Sequence, residues 1–425
     1  MTNPELLQLL RSEVIPAIGC TEPIAVALCT ARAKELLGAE PDSITVHLSK
    51  NVYKNALAVG IPNTGMTGLP IAIALGATVG KSEYMLEGLR DATPEAVAYA
   101  KAYMLRVPAT IKVDYEAPSL LYIHVEVSSN GQTAQATIMD EHTHFVEPGT
   151  RKQESISIGE IETKENTLSL RRVYDFAASV DTTELTFLLE GAEMNTAAAE
   201  TSFADQYGHG LGRLLRANTL TATPEMEKLF GNTLFTKIIS YTCGACDARM
   251  SGAMVQVMSN SGSGNQGISC SIPVYLYAKE SNCTEEQTLR ALALSNLTVI
   301  YIKQSLGRLS ALCGCVVAAT GSAAGITYLM GGTYDEITYA IKNMIANISG
   351  MICDGAKPGC ALKVTSGVAT AIFSAYLAMQ HSYADSTEGI VEDDIDRTIR
   401  NLTRIGHDGM KVTDDLILDI MTHKQ

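Results

Sequence analysis

The stretch LSALCGCVVAATGSAAGITYLM, residues 309–330, is the most hydrophobic window of the chain and sets the character of its second half. Small residues make up much of it, whereas a membrane span would contain more Leu, Ile and Phe. Small side chains also allow helix backbones to approach one another closely. The stretch therefore predicts a buried helix that packs tightly against its neighbours.

The pattern changes on either side of residue 167. Beyond it, long Ala-, Leu- and Met-rich segments are punctuated by Gly, and strand patterns fade. Before it, four segments alternate apolar and polar residues as half-buried strands do: SITVHLS (43–49), TIKVDYE (110–116), LYIHVEVS (121–128) and TAQATIMD (133–140). The last three follow one another closely, which predicts an antiparallel meander.

These patterns predict an α+β fold with two domains. N-terminal helices and a small α/β domain occupy residues 1–165, and a larger all-helical domain occupies 166–425, joined near GEIETKENT (159–167). A chain of 425 residues exceeds the size at which single cores usually stop growing, and 46% apolar residues suffice for large cores.

Charge and cysteine content narrow the function. Lys and Arg total 32 against 46 Asp and Glu, and no basic cluster carries interleaved aromatics, which argues against nucleic acid as a partner. The start, MTNPELLQLLRSEV, lacks the pattern of a signal peptide, and ten cysteines are too sparse for a disulfide scaffold. We expect a cytoplasmic protein, away from membranes and nucleic acid, that binds a small-molecule amino-acid substrate and could form a homodimer.

Three cysteines could converge. Cys353 and Cys360 flank a Lys-Pro-Gly turn in GMICDGAKPGCALKV (350–364), and Cys313 lies upstream in the small-residue helix. Gly-rich backbone near the sulfurs could supply N–H donors to an iron–sulfur cluster, and three ligands would leave one iron open to substrate. The alternative is that all three are buried core residues.

Other thiols and imidazoles allow two interpretations each. Cys20 stands at a predicted helix start, where a lowered pKa would make it a base or nucleophile, but a small apolar residue at a turn is the alternative. Cys243 and Cys246 have C-x2-C spacing without a matching second pair, which favours core or loop cysteines. In EHTHF, His142 and His144 fit two surface histidines better than a metal pair.

Two polar loops could hold a substrate carboxylate. SNSGSGNQGIS (259–269) exposes Gly and Ser backbone N–H groups without the Lys of a Walker motif. KNALAVGIPNTGMTG (54–68) offers similar donors. Flexible connecting loops are the alternative for both. The candidate substrate-binding residues are Lys54, Asn55, Asn63, Thr64, Ser261, Ser263, Asn265 and Gln266.

Six motifs in order along nearly the whole chain give it a specific resemblance: GCTEPIAVAL, PNTGMTGLPIA, DARMSGAM, SNSGSGNQGI, RLSALC and SGMICDGAKPGCALKV. Together they resemble the L-cysteine desulfidase family, whose members are related to the alpha chain of iron–sulfur L-serine dehydratase. The resemblance implies a 4Fe–4S lyase, independent of pyridoxal phosphate, that converts L-cysteine and water to pyruvate, ammonia and sulfide. It places the cluster ligands at Cys313, Cys353 and Cys360 and the proton acceptor at Cys20.

The chain also departs from the serine dehydratases. Their Ser-rich loop ending in His-Thr is absent, and the last cysteine pair is more closely spaced than theirs. These departures favour cysteine over serine as substrate. A related iron–sulfur L-serine dehydratase or other hydro-lyase remains an alternative, as does a non-catalytic zinc- or amino-acid-binding protein that uses Cys243 and Cys246.

Overall fold

The structure, a computed structural model, describes residues 1–147, 168–216 and 224–424. The predicted junction GEIETKENT lies outside the described residues, and the division at residue 165 stays a prediction. The first part of the chain forms these elements: α1 (Asn3–Glu13), β1 (Pro16–Ile18), α2 (Thr21–Leu37), β2 (Ser43–Ser49), α3 (Lys50–Ala56), β3 (Gly60–Ile61), β4 (Met66–Thr67), α4 (Leu69–Thr78), α5 (Pro94–Arg106), β5 (Thr110–Asp114), β6 (Tyr122–Ser129), β7 (Gln132–Met139) and β8 (Phe145–Val146).

The second part is dominated by helices, with one short strand. Its elements are α6 (Leu170–Ser179), α7 (Thr186–Ala204), α8 (Leu211–Leu215), α9 (Pro224–Phe230), α10 (Leu234–Met250), β9 (Gln256–Met258), α11 (Gly264–Glu280), α12 (Glu285–Leu306), α13 (Gly314–Leu329), α14 (Tyr334–Ile348), α15 (Cys360–Met379), α16 (Ile395–Arg404) and α17 (Lys411–Thr422). Short 3-10 segments cover Ser82–Glu87 and Thr182–Leu185, and a π-helical turn covers Ile405–Gly409.

The five-stranded sheet contains all four predicted strands, but the predicted meander is wrong in one place. The strand order is β5-β2-β6-β7-β8, so β2 separates β5 from β6 and pairs with β5 in parallel. A parallel pair needs a crossover connection, which the helices between β2 and β5 provide. The hairpin between β6 and β7 is confirmed, and Asn130 and Gly131 make its turn with positive φ angles.

The central helix of the second part confirms the prediction from 309–330. Helix α13 is almost entirely buried and contacts α11, α12, α14 and α15. A Cβ at Gly321 would lie 2.5 Å from the Ser295 carbonyl oxygen, so only glycine permits this approach. The helix begins at Gly314, and Cys313 before it is extended, so the prediction that Cys313 lies within the small-residue helix is wrong.

The N-terminal segment packs against the second part of the chain. Leu6 and Leu10 of α1 belong to an apolar core built mainly from helices of that part, and β1 pairs antiparallel with β9. The presence of β9 corrects the prediction of an all-helical second part, because a three-residue strand carries too little alternation to be recognised. Of the described helices, α15 has the length and hydropathy of a membrane span, and half of that window is buried in the protein.

Candidate active site

Three of the predicted site cysteines stand at helix starts. Cys20 immediately precedes α2, Cys313 immediately precedes α13, and Cys360 is the first residue of α15. The first N–H groups of a helix lack intrahelical partners and carry the positive end of the helix dipole. The predicted position of Cys20 at a helix start is confirmed.

Backbone pairing holds Cys313 and Cys353 side by side. Leu312 and Ile352 form an isolated antiparallel bridge. The Cys313 N–H donates to the Met351 carbonyl at 3.0 Å, and the Cys353 N–H donates to the Ala311 carbonyl at 2.7 Å. Because these two bonds lie on either side of the bridge, the segment before α13 and the Cys353 turn form one unit.

The turn from Cys353 to Cys360 is fixed by a glycine. Gly355 has φ +88°, and a Cβ there would lie 2.6 Å from the Lys54 carbonyl oxygen. The Cys360 Sγ lies 3.8 Å from the Gly355 carbonyl oxygen. Burial, followed by the nearby Cys353 thiol, raises the pKa of Cys360 to about 11.

Seven of the chain's cysteines belong to one apolar cluster, which we call the cysteine cluster. Cys353 and Cys360 pack against its buried members Cys20, Cys243, Cys246, Cys313 and Cys315. All are free thiols. Cys243 and Cys246 are fully buried in α10, which confirms their prediction as core residues. A hydrogen bond from Cys315 lowers the pKa of Cys313 to about 6, in the direction that favours a thiolate ligand.

The described residues offer candidate thiol ligands but no formed metal site. Within the described ranges, no three His, Cys, Asp or Glu side chains converge on one ion position. A 4Fe–4S cubane instead takes each cysteine on a different iron. Two lysines lie close to the candidate ligands: Lys363 Nζ donates to the Ile352 carbonyl at 2.7 Å, and Lys54 Nζ to the Cys353 carbonyl at 3.4 Å.

Cys20 contacts a buried carboxylate that sequence analysis did not select. Its thiol donates to Glu22 Oε2 at 3.2 Å, and the Asn55 amide donates to Glu22 Oε1 at 3.0 Å. Burial and the Glu22 charge raise the pKa of Cys20 above its usual value, although Arg249 opposes them. This direction is opposite to the one expected from the helix start, because desolvation outweighs the helix dipole.

Glu22 is charged despite its burial. Burial favours the neutral acid, but the nearby His142 ring and the Cys20 thiol favour the carboxylate and lower its pKa well below the usual range. His142 Nε2 lies 3.9 Å from Glu22 Oε1. The preferred interpretation of His142 as a surface residue is therefore wrong. Its side chain is 5% exposed, because it lies between GCTEP and the Ser/Gly loop, where a Cβ at Gly262 would be 2.9 Å from its Nδ1.

The Ser/Gly loop uses much of its backbone internally. The N–H groups of Asn260, Ser261 and Ser263 donate to the carbonyls of Ser263, Glu13 and Asn260. The Ser261 hydroxyl donates to the Asn260 side chain at 2.8 Å. These groups are therefore already bonded within the protein, which limits how far the loop backbone could bind a carboxylate.

Arg249, at the end of α10, is a second residue that sequence analysis missed. Its side chain is 1% exposed. Its Nη1 donates to Asn265 Oδ1 at 3.0 Å, whereas Nε and Nη2 have no hydrogen-bond partner. The signal was available in DARMSGAM, where an arginine ends a helix that is otherwise almost entirely buried.

Gln266 and the Lys54 loop complete the predicted set. Gln266 Oε1 is buried without a partner, and a Cβ at Gly314 would lie 3.2 Å from its side chain. Thr64 donates to the Ile61 carbonyl at 2.7 Å within its own turn. The Asn63 amide donates to the Ala92 carbonyl at 3.1 Å, and Lys54 is buried in an ion pair with Asp414.

Comparison with known proteins agrees with part of the sequence resemblance. The sequence model for the serine dehydratase alpha chain matches residues 86–419. The chain is 56% identical over 426 residues to a UPF0597 protein of Phocaeicola vulgatus, covering 99% of this chain and 98% of that one. It is 48% identical to a UPF0597 protein of Porphyromonas gingivalis and 41% identical to one of Shewanella pealeana, each covering at least 99% of both chains. The chain belongs to the serine dehydratase alpha chain family.

Proposed function

We propose that this protein is a carbon–sulfur lyase that converts L-cysteine and water to pyruvate, ammonia and sulfide by α,β-elimination. The family relation supports a lyase. The observation that carries the proposal is the position of the Cys20–Glu22 pair in the cysteine cluster, beside three cysteines at or near helix starts. An acid–base pair next to candidate thiolate ligands suits a reaction that removes a proton and a leaving group from adjacent carbons.

Cys313, Cys353 and Cys360 would hold a 4Fe–4S cluster in this proposal. Bound there, such a cluster would supply a Lewis-acidic iron that makes the β-substituent a better leaving group. The backbone bridge between Leu312 and Ile352 would hold two of the ligands in place whether or not the group is bound. Lys363 and Lys54 would hold the backbone carbonyls of Ile352 and Cys353 in place beside the thiolates, while Asp354 and Asp414 pair their charges.

The chain's own residues would handle the proton. The Cys20 thiolate would accept the α-proton of the substrate, and the resulting thiol would donate its hydrogen bond to Glu22 Oε2, 3.2 Å away. The electrons of the broken Cα–H bond form the Cα–Cβ double bond, and sulfide leaves with the C–S electrons. The 2-aminoacrylate product tautomerises to an imine, which water hydrolyses to pyruvate and ammonia.

A second candidate is an L-serine dehydratase, or another hydro-lyase, in which water leaves instead of sulfide. The match to the serine dehydratase alpha chain favours it. The two candidates share the proton acceptor and ligands and differ only in the leaving group. A cytoplasmic location and a homodimer are part of our proposal for either reaction.

A substrate panel on anaerobically purified, iron-reconstituted protein tests the proposal. We expect about four irons per chain and sulfide release from L-cysteine that exceeds pyruvate formation from L-serine. The Cys283→Ala variant is the matched control, because Cys283 lies outside the cysteine cluster. Higher turnover of L-serine would support the dehydratase, and iron-loaded protein inactive on both amino acids would contradict the proposed lyase.

A further inference from the structure

Arg249 is a buried cation without an ionic partner. The side chain is 1% exposed, and no carboxylate in the described part of the chain lies within ion-pair distance of it. Arg308, by comparison, contacts Glu13 and Glu141. A buried charge without a partner lowers the stability of the folded protein, so a protein that keeps one usually needs it for binding or catalysis.

The unpartnered atoms of Arg249 are arranged for a planar anion. Nε and Nη2 form one edge of the guanidinium, and adjacent N–H groups on one edge bind a carboxylate through two parallel hydrogen bonds. The opposite nitrogen, Nη1, is held by Asn265 at 3.0 Å, which fixes the plane of the group.

Gly264 packs against the Arg249 guanidinium group at close range. A Cβ at Gly264 would lie 2.3 Å from Arg249 Nε and 2.8 Å from Val257 Cγ2. The glycine-rich character of SNSGSGNQGIS therefore has a packing cause here: the loop must pass a guanidinium group at close range.

Groups of the opposite polarity lie beside Cys20. The Glu22 carboxylate contacts the Cys20 thiol at 3.2 Å. Asn55 donates to Glu22 through its amide nitrogen, while its Oδ1 is buried without a partner. The Ser/Gly loop connects these groups to Arg249, because Gly264 packs against Arg249 and Gly262 packs against His142, which lies 3.9 Å from Glu22. A buried cation with free donors and a set of buried acceptors complement a carboxylate and an ammonium group on one carbon.

We propose that Arg249 binds the carboxylate of an α-amino acid through Nε and Nη2, and that Glu22 and Asn55 Oδ1 bind its α-ammonium group. The inference deepens the proposed lyase function, because it names the substrate class and places the α-carbon beside Cys20. In this inference Arg249, rather than the Ser/Gly loop backbone and Lys54, donates the main hydrogen bonds to the substrate carboxylate.

Calorimetric binding of three unreactive probes tests this inference without relying on turnover. L-alanine carries both charged groups, propionate lacks the ammonium group, and ethylamine lacks the carboxylate. For the protein as purified, we expect L-alanine to bind more tightly than either of the others. In Arg249→Met, L-alanine affinity should fall about 10²-fold, to the level of ethylamine. In Glu22→Gln, it should fall toward that of propionate.

Arg290→Met is the matched control, because Arg290 has its donors bonded to Glu286 and to the carbonyls of Ala177 and Val180. It should leave L-alanine affinity unchanged. Equal L-alanine affinity in wild type and Arg249→Met would overturn the inference, as would a wild type that binds propionate as tightly as L-alanine or binds no probe. Probe binding lost in folded Arg249→Met, together with no sulfide release by wild type, would leave this site standing and reject only the proposed reaction.

Discussion

Lys54 and Arg249 are two buried cations of the candidate site, and they differ in the partners that their charges have. Lys54 is ion-paired with Asp414 of α17, and its Nζ also lies 3.4 Å from the Cys353 carbonyl. Arg249 has one hydrogen bond, to Asn265, and two N–H groups without partners. Both side chains are no more than 2% exposed.

The difference separates a structural cation from a binding one. A buried charge that is already ion-paired has few free hydrogen-bonding groups for a ligand. Removing one partner of such a pair leaves the other charge buried and uncompensated. A buried cation without an ionic partner is stabilised when an anion binds to it. Lys54 therefore stabilises the turn that carries Cys353, through its contact with the Cys353 carbonyl. Arg249 binds the substrate in our proposal.

The largest effect on activity is expected for Cys353, the candidate ligand whose carbonyl Lys54 contacts. Cys353→Ala should lose iron and all measurable turnover together, because it removes a proposed ligand while the backbone bond from Lys54 can remain. Iron analysis and sulfide release from reconstituted protein check this. Cys283→Ala should retain both, and a Cys353→Ala variant with full iron content would exclude this residue as a ligand.

The next largest effect is expected for Cys20, which lies beside the substrate that Arg249 binds in our proposal. Cys20→Ala should keep the iron and bind L-alanine, yet lose about 10² to 10⁴ in kcat, the usual range for a general base. Iron per chain, probe binding and kcat are measured on the same preparation. An iron-free Cys20→Ala would move Cys20 from proton acceptor to ligand.

Local sequence patterns predicted the helices and strands better than they predicted which strands pair and which side chains contact one another. Period-two alternation identified the strands at 43–49, 110–114, 122–129 and 132–139, and small residues identified α13. The insertion of β2 between β5 and β6 depends on a crossover that no local pattern encodes. The burial of His142 and the isolation of Arg249 depend on contacts between distant segments, so sequence alone could not distinguish a paired lysine from an unpaired arginine.

Substituting the two cations should shift stability in different directions. Lys54→Met should lower the free energy of unfolding by about 3–5 kcal/mol, since Asp414 would be left buried with the Asn51 amide but without a cation. Arg249→Met should leave that free energy unchanged or raise it, since it removes an unpaired charge. Urea denaturation measures both.

Lys50→Met is the control for Lys54→Met. Lys50 lies on the same helix and pairs with Asp415, whose side chain is 56% exposed, so its loss should cost no more than about 1 kcal/mol. A Lys54→Met protein as stable as wild type, with weakened L-alanine binding, would reverse the roles that we assign to the two cations.

The smallest effect is expected at Asp247, a buried carboxyl group two residues before Arg249. Burial raises the pKa of Asp247 to about 6, although its carboxylate accepts a hydrogen bond from the His209 N–H at 3.2 Å. Because the folded state holds this proton more tightly than the unfolded chain, the associated stability is present below pH 4 and is lost as the pH rises through 6. Asp247→Asn keeps an acceptor oxygen but cannot ionise. The variant should therefore be more stable than wild type by about 1–3 kcal/mol at pH 7, with the difference shrinking toward pH 4. Urea denaturation of both proteins between pH 4 and 7 measures it, and a difference that does not vary with pH would show that Asp247 is ionised in the folded protein throughout this range.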